Sequence, residues 1–191
     1  IPGGGEGARI RRTLEILFTT NRTPMRARVC YDRDDDDTLA ALDGAPDAWR
    51  DRVVRVKNEG TGAHGAVCTG FRRSSAGAVV MLPADDDYNP GLLDRMARAW
   101  REEGCDIVTA CRFMPGGCMI GCRWTKAVLV RAVAFTLRHL ARLPTRDPTN
   151  GFRLFSRRVL DGIPIESSRG FTYSIELTVK AHRRGWKVCD V

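Results

Sequence analysis

Three groups of residues in this 191-residue chain combine types and spacings that can do chemistry. The first is Asp85-Asp86-Asp87-Tyr88-Asn89-Pro90, directly after the apolar run Val79-Val80-Met81-Leu82. Carboxylates at i and i+2, with an amide oxygen at i+4, can converge in a turn on one hard divalent cation. Mg2+ or Mn2+ held there by Asp85, Asp87 and Asn89 can bridge the phosphates of a nucleotide. The competing reading is an aspartate-rich turn in which Asn89 caps the helix that starts at Gly91. The second group is Asp32, which ends the run Arg28-Val-Cys30-Tyr31; a carboxylate there can accept hydrogen bonds from a base edge or a ribose. The third is Arg112, ahead of Pro115-Gly116-Gly117, with Lys126 opening a long apolar run. A guanidinium fork and a lysine point charge flanking a loop make a seat for a phosphate.

Other constellations carry less. Gly3-x-Gly5-x-x-Ala8 formally fits a dinucleotide-binding fingerprint, with Asp32 on a ribose, but no strand precedes it. No Gly-x-x-x-x-Gly-Lys-Ser/Thr loop occurs, and there is no Gly-x-Ser-x-Gly elbow to accompany His64, His139 or His182. Cys111, Cys118 and Cys122 lie close together without a Cys-x-x-Cys pair or a nearby histidine, which argues against structural zinc. The seven cysteines, an odd number with no secretory leader, are expected to be reduced thiols.

The elements that must position these groups alternate. Helical spacing runs through Ala8–Thr20, Asp37–Leu42, the stretch after Gly62, Gly91–Glu103, Thr125–Leu143 and Tyr173–Arg184. Strands are expected at Arg28–Asp32, Val53–Lys57, Ala78–Leu82, Asp106–Ala110, Phe152–Phe155 and Trp186–Val191. This is an α/β layered pattern, with polar groups recurring just past the strand C-termini where open sheets bind ligands. The length fits one domain over residues 1–191, and 43% hydrophobic residues can form a core. No run reaches the roughly 18–20 apolar residues of a membrane span. The sequence has no room for a strand before Ile1 and stops within an apparent last strand, so it reads as trimmed. Lysine and arginine total 31 against 23 aspartate and glutamate, a net charge of +8 that suits an anionic partner. Two acidic knots stand out against that background, Asp34–Asp37 and Asp85–Asp87, and both are candidates to bind something.

In order, the motifs resemble those of family 2 glycosyltransferases, in particular the dolichol- and polyprenol-phosphate mannosyl- or glucosyltransferase branch. Ile1-Pro2-Gly-Gly-Gly5-Glu6 occupies the place of that family's opening Pro-x-Tyr-Asn-Glu. Tyr31-Asp32 and Asp36-Asp37-Thr38 stand where its second strand ends. Asn58-Glu-Gly60-Thr-Gly62, Asp85-Asp86-Asp87-x-Asn89, Gly104-Cys-Asp106-Ile-Val108 with Arg112…Gly116-Gly117, Asp147-Pro-Thr-Asn150-Gly151-Phe152-Arg153 and Gly170-Phe171…Gly185-Trp186 follow in register. Gly3 to Gly5 replace the usual Tyr-Asn, and Cys111 replaces a serine.

The resemblance implies the nucleotide-sugar-binding GT-A fold, a mostly parallel central sheet flanked by helices. It implies an inverting, metal-dependent enzyme that moves a hexose from GDP-mannose or UDP-glucose to a polyprenyl phosphate. Pro2, Glu6, the Cys30 backbone and Asp32 would line the nucleoside pocket, and Asp85, Asp86 and Asp87 would face the diphosphate. Asp85, Asp87 and Asn89 would hold Mg2+ or Mn2+, with Asp87 the catalytic ligand, and Arg112 and Lys126 would meet the acceptor phosphate. A phosphate acceptor is already anionic; were it a hydroxyl, Asp147 is the candidate base. The implied setting is cytoplasmic, with peripheral membrane contact through the apolar helix after Lys126 and no nucleic-acid partner. A non-catalytic nucleotide- or nucleic-acid-binding module and a dinucleotide-dependent oxidoreductase are the alternatives.

Overall fold

The computed structural model describes residues 1–2, 7–84, 86, 89–117, 119 and 122–191, apart from the Ala8 side chain. Glu6, Asp85, Asp87, Cys118 and the Gly3–Gly5 stretch therefore lie outside the described residues. Helices and strands alternate as the periodicity requires. They run α1 (Gly7–Thr20), β1 (Ala27–Tyr31), α2 (Asp37–Asp43), β2 (Val53–Lys57), α3 (Gly62–Arg72), β3 (Ala78–Met81) and α4 (Leu93–Glu102). The second half comprises β4 (Ile107–Thr109), α5 (Trp124–His139), β5 (Arg153–Ser156), α6 (Arg157–Gly162), α7 (Thr172–Arg183) and β6 (Val188–Asp190).

β1 and β2 pair in parallel, Val29 opposite Arg55. The other four strands form a sheet in the order β3-β5-β4-β6. β5 is antiparallel to both β3 and β4, while β6 is parallel to β4, so β3, β4 and β6 all point one way. Because β5 runs antiparallel to its neighbour β4, the segment that links them, which carries α5, begins and ends at the same end of the sheet.

Successive side chains on a strand point to opposite faces, and the two cores follow from that alternation. Val108, Leu154 and Leu82 face one side, where Ile10, Leu14 and Leu17 of α1 and Met96 of α4 cover them. Ile107, Phe155 and Met81 face the other, under Phe71 of α3, Val159 of α6 and Tyr173 and Leu177 of α7. Phe71 meets Phe155 and Tyr173 edge to face, with ring centroids 5.5 and 5.7 Å apart, a geometry that adds to the value of their burial.

Two features differ from the sequence reading. Cys105 and Cys189 form a disulfide, with Cα atoms 6.0 Å apart, where reduced thiols were expected. The parallel register of β4 and β6 brings together two cysteines 84 residues apart, a proximity that spacing along the chain cannot reveal. Helix α5 ends at His139 rather than Leu143, because Arg142 adopts a left-handed φ of 53° and Leu143 turns back, its N–H donating to the Leu137 carbonyl.

Helix α7 is tied to the preceding loop by Glu176, which accepts from the N–H groups of Glu166 (2.8 Å) and Ser167 (2.9 Å) and from Lys180 Nζ (2.6 Å). Burial alone would raise the pKa of this carboxyl, but Lys180 and the two backbone donors outweigh it and bring it down to about 2. The folded value lies below the unfolded one, about 4.3. The stabilisation is therefore complete above that pH and is lost as pH falls toward the folded pKa. Urea unfolding between pH 5 and pH 2.5 should show a steeper loss of stability for the wild type than for Glu176→Gln; identical slopes would remove Glu176 from the acid transition.

Candidate functional site

Past the C-terminal end of β1, one side chain organises the loop. The Asn58 N–H donates to the Tyr31 carbonyl (2.8 Å), and its Nδ2 donates to Asp32 Oδ1 (2.5 Å) and to the Gly62 carbonyl (3.1 Å). Its Oδ1 accepts from the Gly60 N–H (2.9 Å) and from Thr69 Oγ1 (3.2 Å). Asn58 thus joins the end of β1, its own loop and α3. The glycines of Asn58-Glu-Gly60-Thr-Gly62 follow from this crowding. A Cβ at Gly60 would lie 2.9 Å from the Gly65 Cα, and Gly62 enters α3 with φ of 59°. Asp32 is exposed at the rim of this loop, held on one oxygen by Asn58.

Cys30 and Pro2 are neighbours. The Cys30 N–H donates to the Ile1 carbonyl (2.9 Å), and Pro2 bridges Cys30 in parallel. The buried Cys30 thiol has its pKa raised by desolvation and is inert as a nucleophile.

The acidic knot at 34–37 is taken up locally. Asp34 pairs with Lys57 (2.5 Å), Asp35 with Arg33 (2.6 Å), and Asp36 caps α2 by accepting from the Thr38 N–H (2.9 Å). In the second knot, Asp86 accepts from the backbone N–H (3.0 Å) and Nδ2 (2.8 Å) of Asn89. Asn89 makes no side-chain cap to the short helical turn Pro90–Leu92, so the capping reading of that residue does not hold. With its nitrogen given to Asp86, its Oδ1 is the atom a hard cation would take. An oxygen of this kind suits Mg2+ and Mn2+; Asp85 and Asp87, the other predicted ligands, lie outside the described residues.

Arg112, which follows β4, and Asp147, which precedes β5, were assigned separate roles, and the structure joins them. Arg112 Nε donates to Asp147 Oδ2 (2.7 Å) and its second terminal nitrogen to Oδ1 (2.7 Å) and to Thr149 Oγ1 (2.9 Å). The Arg112 N–H adds a bond to Oδ2 (3.1 Å). The Asp147 side chain is 0% exposed and that of Arg112 27%. This fork holds the Arg112 pKa above its usual value, chiefly through the hydrogen bond to Asp147. Both Asp147 oxygens are occupied, so a base role for this group requires the fork to open.

Arg153, which the sequence reading quoted without a role, braces the same loop from below. It is fully buried, donates to the Asp147 carbonyl (2.9 Å), the Ser174 carbonyl (2.8 Å) and Thr178 Oγ1 (2.5 Å), and stays charged although burial lowers its pKa to about 10. The Asp147 N–H donates to Thr145 Oγ1 (3.1 Å), which in turn donates to Asp190 (2.6 Å) at the end of β6. Asn150 completes the turn, donating to the Ala110 carbonyl. The Pro115-Gly116-Gly117 loop folds back onto Arg112 itself: Gly116 has φ of 88°, and a Cβ at Gly117 would lie 2.6 Å from the Arg112 carbonyl.

Lys126 is exposed near the start of α5 and has no ion-pair partner among the described residues. Only Ala134 of α5 is buried, and Trp124, Val128, Leu129, Val133 and Phe135 are exposed, so the helix does not pack on the sheet. Among the described residues, the grouping of metal-ligand types within reach of one ion is Glu103, Cys105 and Cys189, whose sulfurs are consumed by the disulfide.

Residues 2–163 match the family described as Glycosyl transferase family 2. Mycolicibacterium smegmatis polyprenol monophosphomannose synthase is 30% identical over 95% of this chain and 76% of its own length. Micrococcus luteus undecaprenyl-phosphate mannosyltransferase is 27% identical over 81% of this chain and 70% of its own. The crystal structure of Mycobacterium tuberculosis glucosyl-3-phosphoglycerate synthase in complex with Mn2+, UDP and phosphoglyceric acid superimposes with a TM-score of 0.73 at 19% identity. That alignment covers 100% of this chain and 66% of the other. The fold is GT-A, and these matches favour a transferase over the dinucleotide and nucleic-acid readings. If Asn58 is the tie of the β1 end, Asn58→Ala should cost about 1–3 kcal/mol in urea unfolding, the loss expected when several partnered groups are stranded together. An unchanged midpoint would make the loop self-supporting.

Proposed function

The chain belongs to glycosyl transferase family 2, and on that premise we propose that it transfers a hexose, with inversion, from GDP-mannose or UDP-glucose to a polyprenyl phosphate. The observation that carries the reading is the file of groups past the C-terminal ends of the parallel strands: Asp32 after β1, the acidic turn after β3 and Arg112 after β4. Two relatives named for polyprenol- or undecaprenyl-phosphate mannosyl transfer support the acceptor class.

In this reading Asp32, fixed on one oxygen by Asn58, accepts from the nucleoside, with Pro2, Glu6 and the Cys30 backbone beside it. Asp85, Asp87 and Asn89 supply the oxygens for Mg2+ or Mn2+, and Asp86 holds Asn89 in place. Mn2+ and Mg2+ accompany UDP in crystal structures of the M. tuberculosis synthase. Bound here, such an ion would neutralise the charge that gathers on the leaving diphosphate. Arg112, kept protonated by Asp147, and Lys126 receive the acceptor phosphate. Its oxygen attacks the anomeric carbon from the face opposite the diphosphate, which inverts that centre. An anionic phosphate needs no proton removed, so Asp147 serves best as the holder of Arg112, and a base role would belong only to a hydroxyl acceptor.

The exposed apolar residues of α5 alternate with Lys126, Arg131 and Arg138, the composition of a helix that lies on an anionic membrane surface. No helix among the described residues is long and apolar enough to cross a membrane. A lipid acceptor would reach Lys126 along that face. The test pairs calorimetry of GDP-mannose and UDP-glucose, with Mn2+ or with EDTA, with transfer assays on polyprenyl phosphate. Asp87→Ala should abolish transfer, and Lys126→Ala should raise the acceptor KM while leaving donor affinity nearly unchanged. Equal donor affinity in EDTA would overturn the metal role, and an unchanged acceptor KM would move the phosphate seat elsewhere.

A further inference from the structure

Strand β6 carries two different fastenings side by side. Asp190 accepts from Thr145 Oγ1 (2.6 Å) and from the Arg146 N–H (2.7 Å), and Thr145 Oγ1 in turn accepts from the Asp147 N–H (3.1 Å). Beside it, Val191 donates its N–H to the Thr109 carbonyl and accepts from the Cys111 N–H, both at 2.9 Å. Arg112 and Asp147 therefore each follow a residue whose N–H is bonded to the end of β6.

The second fastening is covalent. Cys189, the residue before Asp190, is bonded to Cys105, 84 residues earlier. Cys105 lies in the turn between α4 and β4, 1% exposed, with its N–H donating to the Ala99 carbonyl (3.2 Å). It is an anchor set in the body of the molecule, and β6 has use for one. The strand is three residues long, each half-buried, and among the described residues its sheet neighbour is β4 alone. A short, half-buried pairing opens locally more readily than a core strand such as β5, whose four residues are all buried. The bond opposes that opening, because β6 cannot leave β4 while Cys189 is tied to the start of that strand.

The bond is also within reach of solvent. Cys189 is half-buried, and exposed Glu103 holds a carboxylate oxygen within 4.8 Å of both sulfurs, which marks the open side.

We propose that Cys105–Cys189 is a thiol-reducible clasp that sets the order of the Arg112–Asp147 fork through Asp190. A dithiol is the class of reductant that opens it. One thiolate of the reductant attacks Cys189 Sγ, the S–S bond breaks, and Cys105 leaves as a thiolate that takes up a proton. The second thiol of the reductant displaces Cys189 from the mixed disulfide, so the protein gains two thiols and the reductant becomes a disulfide. Once β6 is free to open, Asp190 withdraws from Thr145 and Arg146, and the loop that carries Asp147 loses its outer support. The clasp stands apart from any reaction; that a loosened fork weakens the acceptor seat rests on the function proposed above.

The test compares amide exchange and transfer kinetics in the oxidised protein, the protein treated with dithiothreitol, and the Cys105→Ala/Cys189→Ala pair. Reduction should speed exchange at the Cys111, Arg146 and Asp147 amides at least about tenfold, and at Leu154 and Phe155 of β5 little. The double variant should exchange like the reduced protein, with or without dithiothreitol. Unchanged exchange at the three amides on reduction would overturn the clasp. So would an equal rise in β5, the mark of a bond that serves overall stability alone, or a response to dithiothreitol that persists in the double variant. With the three amides loosened, the KM for polyprenyl phosphate should rise about threefold or more at unchanged donor affinity. An unchanged KM would leave the clasp standing and overturn Arg112 as the acceptor seat.

Discussion

A carboxylate with none of its surface in water dictates much of this architecture. A carboxylate buried without partners would cost several kcal/mol; Arg112 and Thr149 bond the oxygens of Asp147, and two further elements hold its backbone. Arg112, from the end of β4, supplies a two-pronged fork and a backbone N–H to its oxygens. Arg153, from β5, holds its carbonyl from the interior and reaches on to α7 through Ser174 and Thr178. Thr145 ties its N–H to Asp190 at the end of β6. The reversed strand β5, the neighbouring strands and α7 are thereby fixed around one acid, and Arg112 is delivered to the C-terminal edge of the sheet with its charge intact.

The Asp32 side of the edge uses the same device without buried charge. Asn58 has both a donor and an acceptor on one side chain, so it satisfies the Gly62 carbonyl, the Gly60 N–H, Asp32 and Thr69 at once, while its own N–H bonds the Tyr31 carbonyl. Its loop can close that tightly only because Gly60 and Gly65 allow their backbones to touch. In both places a polar knot between a strand end and a helix sets where a chemically useful side chain stands, and the apolar layers beneath carry the weight of folding.

Much of the frame was legible in the sequence because its elements bury continuous faces. Ile10, Leu14 and Leu17 announce α1 at helical spacing, and Val79-Val80-Met81 announces β3 as a strand covered on both sides. Asp32 and Asp86 do stand past the ends of β1 and β3, where the strand pattern expects polar groups. What stayed hidden depends on proximity across the chain. The Cys105–Cys189 bond needs the register of β4 with β6. Arg112 and Asp147 are 35 residues apart, and their types alone suggest separate phosphate and base roles. Arg153 carries no role in the sequence, and only the assembled sheet shows it fully buried. Helix α6 is short and starts on Ser156, whose hydroxyl accepts from the Val159 N–H; six residues carry too little periodicity to read. Helix α5 has apolar residues that could equally have packed on the sheet, and only the structure shows them exposed.

The dependence of Arg112 on Asp147 is measured most directly by a double-mutant cycle in urea unfolding, using Arg112→Ala, Asp147→Ala and the pair. If each residue is held by the other, the single losses should exceed additivity by about 2–3 kcal/mol, the upper end for a buried, directly bonded pair. Losses that add to within about 0.5 kcal/mol, as for independent sites, would contradict the account.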